Sequence, residues 1–101
     1  MLSSRGYREV GIASWYGFES GSRTATGERF NPRGLSAAHK TLPLPTRVRV
    51  TNLANGKSTV VMVNDRGPFV KGRLIDLSMG AARRLDIYQR GSAKVLVEAL
   101  N

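Results

Sequence analysis

Apolar and polar positions alternate along much of this chain with a period of two, the pattern of strands that bury one face. Val10 to Tyr16 opens the series, with Trp15 and Tyr16 on opposite faces. Arg47 to Leu53 sets Val48 and Val50 on one side and Arg47 and Arg49 on the other. Ala54-Asn55-Gly56-Lys57 follows, and Asn-Gly is a strong hairpin signal because both residues tolerate positive φ. Ser58 to Val63 then returns as the partner strand, and its unbroken run Val60 to Val63 predicts burial on both faces. Leu74 to Leu77 is a further short strand, and Lys94 to Leu100 closes the series with Val95, Val97 and Ala99 aligned.

A helical period occurs once. Ser78 is placed to cap a helix from Met79 to Leu85, with Ala81, Ala82 and Leu85 as its apolar stripe. Arg83 and Arg84 fall near its C-terminal end, where cations are favoured. Ser36 to His39 is expected to form a short helical turn. Residues 1–9 are polar and expected to be flexible, leaving residues 10–101 as one domain. Phe18 to Gly34 is a long glycine-bearing loop, and loops of such length usually serve function. Short strands with a single helix predict a mainly β fold, a small closed barrel with one or two short helices.

Composition narrows the chemistry. Sixteen basic residues against seven acidic give a net charge of +9, which points to an anionic partner. The cations are dispersed and no nucleic-acid motif is present, so no nucleic-acid partner is expected. The chain has no cysteine, hence no disulfide and no thiolate metal site. With one histidine, a metal would need several carboxylates to join it, and neither a metal nor a cofactor is expected. No run approaches the roughly 18–20 apolar residues of a membrane-spanning helix. The first six residues lack the apolar core of a signal peptide.

The candidate chemistry centres on Asn64-Asp65-Arg66-Gly67-Pro68-Phe69. A strand ending on a carboxylate, followed at once by a guanidinium and a forced turn, presents both groups at one place. Glu28, beside Phe30 in the glycine-bearing loop, is either a solvated carboxylate near Arg29 or a shielded general acid. His39 is either a structural histidine or a group that orients the acid. Asp76, between Ile75 and Leu77, is costly inside an apolar strand unless paired or functional. Tyr16, Phe30 and Phe69 are candidates to line a binding groove, with Thr24 and Thr26 adding hydroxyls and Asn64 and Arg66 either holding the ligand or bracing the loop, while Trp15 is expected in the core.

The ordered segments Gly11-Ile12-Ala13-Ser14-Trp15-Tyr16-Gly17, Thr24-Ala25-Thr26-Gly27-Glu28, Ala37-Ala38-His39, Arg47 to Leu53, Asn64 to Phe69 and Gly72 to Ser78 closely resemble the rare lipoprotein A family of bacterial cell-wall proteins. The resemblance runs from about Val10 to Leu100. It implies a six-stranded double-psi β-barrel that acts as a lytic transglycosylase on peptidoglycan glycan strands, preferring strands without stem peptides. It assigns catalysis to Glu28, His39 and Asp65, with Tyr16, Thr24, Thr26, Phe30, Asn64, Arg66 and Asp76 holding substrate. Among Glu28, Asp65 and Asp76 the proton donor stays open. The resemblance also implies a monomer in the cell envelope, with an export signal and lipid anchor outside these residues. The alternative is an expansin-like module that binds glycan without cutting it. Ser20 stands where the family often has a histidine, a departure in the groove loop.

Overall fold

A computed structural model describes residues 5–16, 24–27, 29, 31, 33–68 and 70–100. Among them the chain forms β1 (Arg8–Tyr16), β2 (Ser36–His39), β3 (Thr46–Asn52), β4 (Ser58–Asp65), β5 (Arg73–Ser78), α1 (Met79–Arg84) and β6 (Ser92–Ala99). The strands close into a barrel in the order β1-β5-β2-β4-β3-β6, which leaves no free edge. β1 runs parallel to β5 and β2 parallel to β4, and the other pairings are antiparallel. The ring therefore sets the β5–β2 side opposite the β3–β6 side.

The period-two pattern fills the barrel. Val48 and Val50 of β3, Val61 and Val63 of β4, Ile75 and Leu77 of β5, and Val95 and Val97 of β6 are all buried in one cluster. Arg47 and Arg49 point outward, as their alternation requires. α1 adds Ala81 and Ala82, and Leu85 and Ile87 beyond its end complete the core. The Ser78 side chain accepts from the Ala81 amide, so the cap forms as expected. Asn52, almost fully buried, donates through Nδ2 to the Leu85 carbonyl at 2.8 Å and ties the helix end to β3.

Two expectations are corrected. Ser36 to His39 is a strand, not a helical turn, held between β4 and β5. Its alanines favour a helix locally, but backbone partners on both sides and burial of Ala37, Ala38 and His39 decide otherwise. β4 is not buried on both faces: Val60 is 38% exposed and Met62 half-buried, because only alternate residues point into a closed barrel. Strand ends also move. β1 begins at Arg8 rather than Val10 and β6 at Ser92 rather than Lys94, while β4 ends on Asp65, the carboxylate expected at its end.

Candidate active site

The parallel pair β1–β5 brings Ser14 opposite Asp76 and Tyr16 opposite Ser78, and β2 places Ala38 opposite Asp76 on the other side. Parallel β2–β4 pairing sets Ala38 against Asp65. These registers assemble a groove of about 250 Å³ lined by Tyr16, Ala38, Asp65, Arg66, Gly67, Pro68, Val70, Arg73 and Asp76. Ala38 thus stands in register between the two aspartates.

Asp65 is held by backbone. Its Oδ1 accepts from the Ala25 amide at 3.0 Å and from the Arg66 amide at 2.9 Å. The Thr26 amide donates to the Asn64 carbonyl at 3.3 Å, and the hydroxyls of Thr24 and Thr26 lie 2.9 Å apart. The turn 24–27 is thus docked on the end of β4, with Thr24 and Asn64 buried and Thr26 exposed. Glu28, Phe30 and Phe69 lie outside the described residues.

The Arg66 guanidinium turns back toward β2, donating through Nη1 to the carbonyls of His39 (3.1 Å) and Leu42 (2.6 Å). Gly67 has φ of +123°, which favours glycine, and its peptide bond to Pro68 is cis. Asp76 is paired, as its position inside β5 requires. Ser14 Oγ donates to Oδ1 at 2.5 Å, and Arg73 Nη2 meets Oδ1 and Oδ2 at 2.5 and 2.6 Å. Burial pushes the Tyr16 hydroxyl up to about 12; the Ser36 hydroxyl opposes this, and the Asp65 and Asp76 carboxylates add to it.

His39 is 2% exposed. It alternates with Ala38 and borders a neighbouring cavity of about 350 Å³ with Glu9, Val10, Gly11, Lys40, Gly72, Arg73 and Leu74. Arg73 borders both cavities. The Thr41 and Leu42 amides donate to His39 Nδ1 at 3.1 and 3.2 Å, and the Tyr7 hydroxyl lies 2.9 Å from Nε2. Burial holds the imidazole below its usual value; Glu9 opposes this and Arg66 and Lys40 reinforce it.

The structure therefore brings Tyr16, Asp65, Arg66 and Asp76 together, with Thr24, Thr26 and Asn64 alongside Asp65, and sets His39 behind Arg66. Arg73, Ser14 and Val70 were not singled out from sequence. Residues three apart on a strand face opposite ways, so spacing gives no sign that Arg73 meets Asp76. Ser14 reaches Asp76 only through long-range parallel pairing. Trp15 is partly buried against the core, its Nε1 donating to the Tyr88 carbonyl at 3.1 Å and its ring stacked on Tyr88. Among the described residues no three His, Asp or Glu side chains gather as a metal site would need.

Residues 8–97 match the sequence profile of a family described as lytic transglycolase. The chain is 56% identical over 102 residues to the endolytic peptidoglycan transglycosylase RlpA of Pseudomonas aeruginosa, covering all of this chain and 30% of that protein. It is 61% identical over 90 residues to the probable endolytic peptidoglycan transglycosylase RlpA of a Synechocystis species, covering 87% of this chain and 28% of that one. The chain thus spans about a third or less of these relatives. Among solved structures, Streptomyces papain inhibitor superposes with a TM-score of 0.77 at 22% identity, over 95% of this chain and 96% of that one. The expansin of Clavibacter michiganensis gives 0.72 at 19% identity, over 94% and 51%. Both likenesses concern the fold alone.

Proposed function

The chain belongs to the lytic transglycolase family of double-psi β-barrels, and on that premise we propose that its groove cleaves peptidoglycan glycan strands by lytic transglycosylation. The observation that carries the proposal is the convergence of Tyr16, Asp65 and Asp76 on one open groove behind the Asp65-Arg66-Gly67-Pro68 turn. An acid protonates the oxygen that bridges N-acetylmuramic acid and N-acetylglucosamine. The bond from that oxygen to the anomeric carbon breaks. The muramic acid 6-hydroxyl then bonds to the same carbon and returns its proton to the carboxylate, leaving a 1,6-anhydro end. Water is not consumed, so a pair of carboxylates spaced for a hydrolytic water is not required.

Glu28, which follows the turn 24–27 in sequence, is the proposed acid and then base. The Asp76 carboxylate already accepts from Ser14 and Arg73, a role suited to holding substrate hydroxyls rather than donating a proton. Tyr16 lines the groove, while its hydroxyl is itself buried and keeps its proton far above neutral pH. Asp65 fixes the loop and faces the substrate, and His39 supports it through the turn that anchors Arg66. Arg29, Lys40 and Arg66 favour strands whose lactyl carboxylates are uncovered by peptide loss. The domain works as a monomer in the cell envelope, anchored through lipid carried elsewhere in the protein. Incubation with peptide-free strands and with intact peptidoglycan, followed by mass spectrometry, tests this. Anhydro-ended fragments, more abundant from the peptide-free strands, are expected, and binding without fragments would make the domain an expansin-like glycan binder.

A further inference from the structure

A hydrogen-bonded chain runs from the first residues of β1 to the catalytic groove. The Tyr7 hydroxyl donates to Glu9 Oε1 at 2.8 Å and lies 2.9 Å from His39 Nε2. The Tyr7 ring meets the imidazole edge-on, with centroids 5.3 Å apart and planes at 88°. On the other side of the ring, two backbone amides point at Nδ1. Nδ1 must therefore accept, so the neutral imidazole carries its proton at Nε2 and donates it to Tyr7. Each hydroxyl and ring nitrogen then has one defined direction, from His39 to Tyr7 to Glu9.

The same two amides close the turn 39–42, and the carbonyls of His39 and Leu42 in that turn hold the Arg66 side chain. The Arg66 amide donates to Asp65. We propose that Tyr7 and Glu9 are positioning residues for the groove: Tyr7, oriented by Glu9, accepts from His39 Nε2–H and holds the ring in place, and His39 in turn sets the carbonyls that hold Arg66 beside Asp65. This rests on the proposed reaction only for its catalytic consequence. Protonating His39 would put an N–H at Nδ1 against two N–H donors, so the turn must open and release Arg66. Among the described residues, the charged and titratable groups around the imidazole are Tyr7, Glu9, Lys40, Arg66 and, across the neighbouring cavity, Arg73, and of these only Glu9 favours the imidazolium by charge.

Tyr7→Phe keeps the ring and removes the hydroxyl, and Glu9→Gln keeps the hydroxyl and removes the charge. Proton–nitrogen correlation spectra of the His39 ring, recorded on the folded chain across pH, give the tautomer and the titration midpoint without any substrate. The parent is expected to show Nε2–H alone. Tyr7→Phe should keep Nε2–H, since the two amides still hold Nδ1, but shift the Nε2 signal as its acceptor is lost, and Glu9→Gln should lower the midpoint. Formation of anhydro-ended product by Tyr7→Phe should fall about tenfold, as small displacements of catalytic groups cost. Ring signals and midpoint identical to the parent in both variants would overturn the inference, and if Tyr7→Phe fails to fold, Glu9→Gln decides alone. A parent without lytic activity would refute the proposed reaction and leave the spectra to judge the positioning.

Discussion

Arg73 grips both carboxylate oxygens of Asp76 from three residues away on the same strand, at 2.5 and 2.6 Å. Both side chains are partly shielded, at 30% and 14% exposure. Removing the cation leaves a half-buried carboxylate with Ser14 as its remaining donor among the described residues. Arg73→Met should lower stability by about 1–3 kcal/mol, and Asp76→Asn in the same background should restore part of it. Denaturant unfolding of the two single variants and the double variant measures the coupling. Purely additive effects would show that the pair contributes nothing as a pair.

The start of α1 is fastened to the loop before β2. Ser78 Oγ donates to the Gly34 carbonyl at 2.7 Å and accepts from the Ser36 and Ala81 amides. A Cβ on Gly80 would lie 2.5 Å from the Arg33 carbonyl oxygen and 2.7 Å from that of Gly34. Gly80→Ala should therefore cost about 1–3 kcal/mol by overpacking against backbone, despite the better helix propensity of alanine. Ser78→Ala should cost a similar amount, about 1–3 kcal/mol, through unmade buried hydrogen bonds. Thermal unfolding checks both, and a Gly80→Ala protein more stable than the parent would contradict the close approach.

Two buried titrating groups give opposite limbs to the stability profile. Tyr16 is raised from 10 to about 12 in the folded state, so the folded protein binds more protons than the unfolded chain between those values. Its contribution is complete below pH 10 and is lost as pH rises toward 12. His39 is lowered from 6.5, so its contribution is complete above 6.5 and is lost as pH falls through the folded value. Unfolding free energies across pH for the parent, Tyr16→Phe and His39→Gln test this. Tyr16→Phe should flatten part of the alkaline limb, the rest belonging to Tyr7, which burial also raises, and His39→Gln should flatten the acid limb.

The charge of +9 should steer carboxylate-bearing strands to the groove. Cleavage of peptide-free strands at subsaturating concentration should slow several-fold between roughly 50 and 200 mM salt, as the Debye length shortens. Rates indifferent to salt would remove the electrostatic account of strand preference.

Much of the barrel was legible because alternation survives in β3 and β6, where Val48, Val50, Val95 and Val97 fill the core. The cap at Ser78 was legible because capping is local chemistry. β2 was not, since four residues with two alanines carry no period, and only pairing on both sides makes them a strand. The groove was partly legible: Asp65, Arg66, Asp76 and Tyr16 stand in recognisable segments and do converge. Arg73 and Ser14 were hidden because their contacts depend on barrel closure. Tyr7 was hidden by its place in a polar segment expected to be flexible, though it packs on His39.

The central claim is that this groove turns glycan strands into anhydro-ended fragments, with Glu28 as acid. The direct test compares the parent and a folded Glu28→Gln protein on peptide-free strands by mass spectrometry. The account predicts 1,6-anhydro ends from the parent and none from Glu28→Gln. Equal cleavage by both would take the acid away from Glu28, and hydrated reducing ends from the parent would contradict transglycosylation itself.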